Sequence, residues 1–265
     1  MIKDSQARIT CNENWGDYYL LTIESAGVAS LCLPGQFIMV RISAHPYPLL
    51  RRPFSIHAKD TKTIQIFFQK TGLGTELLSQ KRAGEYLDIL GPLGKGFTAE
   101  PNLKGKEVIT VGGGRGIAPL YFLARMLRSR ETEVKIFYGG KSLIDLPLKD
   151  RLEKDGFEMF FSTDDGSFGF KGFISDYLEA ELDKLNPDYL YACGPEEMMK
   201  KIAFLSRARN IPAEFSLESI MGCGFGACWG CVRRIKKDGE EGWLKICEEG
   251  PVFSGEEIIW TVDDK

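Results

Sequence analysis

Met221-Gly-Cys-Gly-Phe-Gly-Ala-Cys-Trp-Gly-Cys-Val232 decides how the rest of the chain is read. One more cysteine follows downstream, so the full spacing is Cys223-x4-Cys228-x2-Cys231-x15-Cys247. Four thiolates are the usual ligand set of a [2Fe–2S] cluster, and C-x4-C-x2-C with a distant fourth cysteine is the plant-ferredoxin spacing. Three ligands so close together force the backbone to curl, and Gly222, Gly224, Gly226 and Gly230 reach positive φ at little steric cost. The glycines and Ala227 also let backbone N–H groups approach the sulfurs, which tunes the reduction potential. A structural zinc site also uses four cysteines, but it usually pairs two short C-x2-4-C hairpins. Here the arrangement is three plus one. A zinc-stabilised, non-redox binding protein is therefore the rival reading from another class.

Nothing at the N-terminus reads as a signal peptide, so the expectation is a reducing cytoplasm with free thiols rather than disulfides. The length of 265 residues suggests about two domains with room for a small third. A net charge of −3 gives no electrostatic footprint for nucleic acid. No apolar run approaches the ~18 residues of a membrane helix. Of the cysteines outside the cluster set, Cys11 and Cys32 lie in strand-like sequence and are expected to be small buried hydrophobes.

Upstream of the cysteines the texture changes near residue 100. Before it, Tyr18–Ile23, Gln36–Ile42, Thr63–Gln69 and Glu85–Leu90 are apolar, β-branched and aromatic, with Gly and Pro clusters between them. Short strands at regular spacing predict an antiparallel barrel or sandwich, with one short capping helix at Thr75–Arg82. After it, strands at Glu107–Val111, Val134–Tyr138, Phe157–Phe161 and Tyr189–Ala192 alternate with helical stretches. The helices are expected over Leu120–Arg130, near Leu148–Lys154 and Ile174–Leu182, and over Glu196–Arg209. Alternation of this kind predicts a parallel sheet of βαβ units. From about 214 the chain is Gly- and Cys-rich, with strands expected near Cys231–Ile235 and Trp243–Cys247.

Five further motifs point to ligands. Arg51-Arg-Pro-Phe-Ser55 opens a strand; an arginine there neutralises a pyrophosphate through paired hydrogen bonds, and Ser55 faces a flavin edge. Gln69-Lys-Thr-Gly-Leu-Gly-Thr75 enters a helix, where Gly74 and Thr75 offer backbone N–H groups to an anion. Val111-Gly-Gly-Gly-Arg-Gly-Ile-Ala-Pro-Leu120 ends a strand and opens a helix. Its Gly112, Gly113, Gly114 and Gly116 let a dinucleotide approach the backbone, although the run is not the standard G-x-G-x-x-G. At later strand ends, Asp164 or Asp165 is placed to accept a ribose hydroxyl and repel a 2′-phosphate. Cys193-Gly194-Pro195 is placed near a nicotinamide. No Ser–His–Asp pattern is present, so no catalytic side chain is assigned. His45 and His57, the only histidines, are read as structural.

The motifs Arg52–Ser55, Gly72–Thr75, Val111–Leu120, Thr163–Ser167 with Lys171-Gly172, Cys193–Pro195 and Cys223–Phe253 together resemble one family. It is the electron-transfer subunit of the class 1B dihydroorotate dehydrogenases, within the ferredoxin–NADP reductase-like flavoproteins. The resemblance implies a multidomain β + α/β fold: an FAD-binding β-barrel over 1–99, an NAD-binding α/β domain over 100–213 and a [2Fe–2S] domain over 214–265. It implies that Arg52, Pro53, Phe54 and Ser55 contact FAD, that Phe67, Phe68 and Gln69 form the next contact strand, and that Gly74 and Thr75 form the pyrophosphate turn. It implies electron flow from NADH through FAD and the cluster to an FMN-containing dihydroorotate dehydrogenase catalytic subunit in pyrimidine biosynthesis, in an α2β2 heterotetramer. Two positions depart from the family pattern. Phe68-Gln69 stands where Tyr-Arg is common, and Arg115 stands where a small apolar residue is common. The nearest rival is the small subunit of an NADH-dependent ferredoxin–NADP reductase or of a sulfide dehydrogenase.

Overall fold

The computed structural model describes residues 1–43, 47–99, 103–237 and 239–260. His45 lies outside the described residues, as do the first two residues of the expected junction, Pro101 and Asn102.

Six strands close a barrel: β1 (Ile2–Trp15), β2 (Tyr18–Glu24), β3 (Phe37–Arg41), β4 (Arg52–Lys59), β5 (Thr63–Gln69) and β6 (Tyr86–Leu93). They hydrogen-bond in the order β1-β2-β5-β4-β3-β6, and closure leaves no bare sheet edge. Two short helices, α1 (Ala26–Leu31) and α2 (Leu73–Ser79), lie between strands. Ile38, Ile56, Ile64, Ile66 and Ile89 are fully buried inside, each contributing on the order of 1.5–3 kcal/mol by leaving water. Strand β1 carried no sequence signal, and the reason is its register. Shifts between Asp4 and Ala7 and between Ile9 and Cys11 break the period-two alternation. The second shift also turns Cys11 to solvent, which corrects its expected burial; Cys32 is buried as expected.

The second layer is a seven-stranded sheet built from β7 (Glu107–Gly113), β8 (Glu133–Gly140), β9 (Glu158–Thr163), β10 (Phe170–Lys171), β11 (Tyr189–Cys193), β12 (Ala213–Ser216) and β15 (Val252–Ser254). Its order is β10-β9-β8-β7-β11-β12-β15, and every pairing is parallel except that of β15 with β12. The strand order reverses between β7 and β11, and ligands in such sheets bind outside the carboxyl ends at that point. Helices α3 (Ile117–Arg128), α4 (Lys149–Lys154), α5 (Ile174–Leu185) and α6 (Glu196–Ala208) cover the faces.

Helix α3 joins the two layers. Leu120, Leu123, Ala124 and Leu127 pack on the sheet core, while Phe122 enters the barrel core. His57 of β4 stacks on Tyr121 at 4.5 Å between centroids and donates from Nδ1 to the Ala118 carbonyl at 3.2 Å. Burial pushes its pKa down to about 3, so it is a neutral structural group.

The hairpin β13 (Val232–Lys237) and β14 (Glu240–Lys245), followed by the single turn α7 (Ile246–Glu249), forms the cysteine-bearing lobe. The 213/214 position falls within β12. Both β12 and β15 belong to the seven-stranded sheet, because Phe215 and Phe253 bury their rings in its core. The cysteine lobe thus grows out of the sheet between two of its strands.

Candidate functional site

The residues expected at the flavin converge on one cleft. Arg52, Pro53, Phe54 and Ser55 from β4, Phe67, Phe68 and Gln69 from β5, and Thr75 from α2 form its barrel wall. Ala118, Cys193, Ser216 and Leu217 form the wall opposite. The two adjacent arginines divide. Arg51 turns away and pairs with the Asp88 carboxylate at 2.7 Å, while Arg52 faces the cleft. Gly74 stands behind Arg52: a Cβ there would lie 3.1 Å from its Nε, so the missing side chain makes room for the guanidinium. The Thr75 hydroxyl accepts from the N–H groups of Thr71 and Gly72 at 2.9 and 3.2 Å, which fixes the turn before α2. A planar aromatic ligand fits here, with a strand hydroxyl on one side and a cation for its phosphates on the other.

A second crevice of about 920 Å³ opens at the carboxyl ends of β7, β8, β9 and β11. That volume suits a nucleotide-sized ligand. Gly113, Gly114, Gly139, Gly140, Asp164, Gly194 and Pro195 line it. The glycines of the β7–α3 turn do different jobs. A Cβ on Gly112 would lie 3.0 Å from the Ile117 Cα, and one on Gly116 would lie 1.9 Å from the Cys193 carbonyl oxygen. These two hold strand and helix together, whereas Gly114 takes φ +53° and leaves open space at its Cβ. The two candidate aspartates also separate. Asp165 accepts from the Ser167 N–H and hydroxyl at 2.9 and 2.6 Å, which holds its carboxyl below the usual range. Asp164 lines the crevice, and burial raises its carboxyl against the opposing pull of Lys141. Cys193 lies on the wall of the first cleft, where burial raises its thiol, and its neighbours Gly194 and Pro195 face the crevice.

The two cavities meet. Gln69, Arg115 and Glu218 line both. Sequence reading missed Glu218, and it missed Tyr18 and Asp145 on the crevice wall, which share a 2.6 Å hydrogen bond between barrel and α/β domain. None of these three belongs to a local motif, and only the docking of the two layers brings them to the site.

The four cluster cysteines fall into two pairs. The Cys223 N–H donates to the Cys228 Sγ at 3.4 Å, and the Cys247 N–H donates to the Cys231 Sγ at 3.4 Å. The Gly226 N–H reaches the Cys247 Sγ at 3.1 Å. Cys231 and Cys247 are buried; Cys223 is half-buried and Cys228 exposed. Burial would raise the Cys223 thiol, but backbone N–H groups of Phe225, Cys228 and Ala227 outweigh it and bring the pKa to about 7. Burial and the Cys231 thiol push Cys247 up to about 12. Among the described residues no three His, Cys, Asp or Glu side chains close on one ion, whereas a two-iron cluster takes two ligands per iron. The paired thiols and their N–H donors fit that division. The loop also rests on the barrel. Gly224, at φ +83°, packs so closely on Met39 of β3 that a Cβ would lie 2.4 Å away. The same strand carries Phe37 into the first cleft.

Comparison with known proteins agrees with this geometry. Residues 218–259 match the iron–sulfur cluster binding domain of dihydroorotate dehydrogenase B, and residues 110–203 match an oxidoreductase NAD-binding domain. The dihydroorotate dehydrogenase B (NAD(+)) electron transfer subunit of Bacillus caldolyticus is 40% identical over 91% of this chain and 92% of its own. That of Shouchella clausii is 38% identical over 97% of this chain and 100% of its own. Among solved structures, an NADH-dependent reduced ferredoxin–NADP oxidoreductase superposes with a TM-score of 0.83 at 27% identity, over 97% of this chain and 91% of that one. The cluster-domain match sets aside the zinc reading of the cysteines.

Proposed function

This chain belongs to the family of dihydroorotate dehydrogenase B electron transfer subunits, and from that premise we propose that it carries electrons from NADH to the FMN of a dihydroorotate dehydrogenase catalytic subunit. The assembly is two catalytic and two electron-transfer chains, working in a cytoplasm that keeps thiols free. The observation that carries the proposal is the sharing of Gln69, Arg115 and Glu218 by the two cavities, with the cluster segment starting a few residues past Glu218. Three redox sites in series need that adjacency.

When bound, FAD converts a two-electron hydride into single electrons and the cluster carries them one at a time. The chain's own residues bind and orient. Arg52 and the turn at Gly74 and Thr75 hold the flavin diphosphate, while Pro53, Phe54, Ser55, Phe67, Phe68 and Gln69 flank the ring. Gly113, Gly114, Gly194 and Pro195 leave the dinucleotide close to the backbone, with Gly112 and Gly116 fixing the turn and Cys193 walling the junction. Asp164 takes the ribose. Cys223, Cys228, Cys231 and Cys247 ligate iron. No side chain acts as a nucleophile.

The test is co-production with an FMN-containing dihydroorotate dehydrogenase subunit. The expected result is a stable complex that reduces orotate with NADH under anaerobic conditions. A chain that ignores that partner but exchanges electrons between ferredoxin and NADP(H) overturns it in favour of the second reading, which rests on the 0.83 superposition.

A further inference from the structure

The crevice is acidic for a site that must take a diphosphate. Two of its cations are already neutralised by its own carboxylates: Lys201 pairs with Asp176 at 2.5 Å, and Arg233 pairs with Glu196. What remains on the wall is Asp145, Asp164, Glu197 and Glu218 against Arg115 and Lys141. Lys141 already acts on the Asp164 carboxyl. The Arg115 guanidinium makes no hydrogen bond or ion pair among the described residues. It stands on the Gly113–Gly116 turn, one residue before the final glycine and two before α3 begins. The helix end adds its own positive potential at that place.

We propose that Arg115 holds the diphosphate of the nicotinamide dinucleotide. The proposal rests on the crevice being the dinucleotide site. A planar guanidinium grips a diphosphate with paired hydrogen bonds, which a lysine does not reproduce. The open space at Gly114 gives the diphosphate room beside it. At the junction of the two cavities, the grip on the diphosphate sets how far the nicotinamide reaches toward the flavin cleft.

The experiment measures binding of NAD+, which cannot reduce the flavin, and of ADP-ribose, which has the diphosphate but no nicotinamide, to the purified flavin- and cluster-loaded chain by calorimetry at two salt concentrations. Arg115→Ile is expected to weaken both ligands roughly ten- to hundredfold, as for loss of a charged hydrogen-bond pair, and to flatten the salt dependence. Arg115→Lys is expected to fall in between, and it keeps the test decisive if the isoleucine chain loses its flavin. Unchanged binding of both ligands overturns the proposal. So does weaker NAD+ with unchanged ADP-ribose, which assigns Arg115 to the nicotinamide end. A wild-type chain that binds neither ligand overturns the dinucleotide reading itself, and this proposal with it.

Discussion

The cysteine lobe and the barrel hold their groups by different means. On the barrel, Arg52, Ser55 and Phe67 stand on strands whose inner faces are fully buried isoleucines, so their positions are set by a core that needs no ligand. In the lobe Cys223, Cys228 and Cys231 stand on a loop between Met221 and Cys231 with no strand or helix of its own, and Cys247 comes from the single turn α7. N–H···S hydrogen bonds and Gly224 against Met39 hold it, and Phe225, Trp229 and Trp243 are 47%, 58% and 61% exposed around it. The difference teaches where each site takes its order from: the barrel from apolar burial, the cysteine loop from hydrogen bonds and one close backbone contact, to which a bound cluster would add.

The largest expected effect breaks the lobe alone. Cys228→Ser removes the exposed one of the four proposed ligands and should abolish the cluster, with iron and acid-labile sulfide falling to background while the FAD absorbance remains. Loss of the flavin in the same variant would show that the two regions share one stability. The mirror experiment is Ile56→Ala. Truncating a fully buried barrel side chain should cost about 2–5 kcal/mol, and FAD should be released at lower temperature in a fluorescence melt. Iron content at room temperature should stay the same.

A third prediction separates the regions by pH. The two histidines lie before residue 60, and none lies in the lobe. His57 titrates near 3 in the folded chain against 6.5 ordinarily, so the unfolded chain takes up the proton first. Its contribution is therefore whole above pH 6.5 and falls by about 1.4 kcal/mol for each unit below that, down to about pH 3. Urea melts at pH 7 and pH 5 should show His57→Gln losing about 2 kcal/mol less than the wild type between the two.

The same contrast explains what could be read from the sequence. The iron–sulfur segment was legible because most of its signal is local: three thiols lie close along the chain with glycines between them. The barrel and the parallel sheet were legible through their periods of apolar residues. What escaped was whatever depends on register or docking. Strand β1 hid behind two register shifts, and Cys11 was turned outward by one of them. The short strands at 213–216 and 252–254 are too brief to show a period, and they pair only because the chain returns to the sheet after the lobe. Glu218, Tyr18 and Asp145 reach the crevice only once α3 has joined barrel and sheet.

The smallest expected effect lies in the crevice between these regions, and it asks whether that site is preorganised like the barrel or shaped by its ligand like the lobe. Asp164 and Asp165 look alike in sequence, but only Asp164 faces the crevice, while Asp165 ties the turn to Ser167. A carboxylate beside the adenosine ribose repels a 2′-phosphate, and solvent screening limits how strongly an exposed one does so. Asp164→Asn should therefore narrow the NADH over NADPH preference in kcat/KM by roughly tenfold, with little change in thermal stability. Asp165→Asn should leave the preference as it is, since its carboxylate is already occupied by the turn. A preference that moves equally in both variants would mean that the turn rearranges around the nucleotide, and the crevice would then belong with the lobe rather than with the barrel.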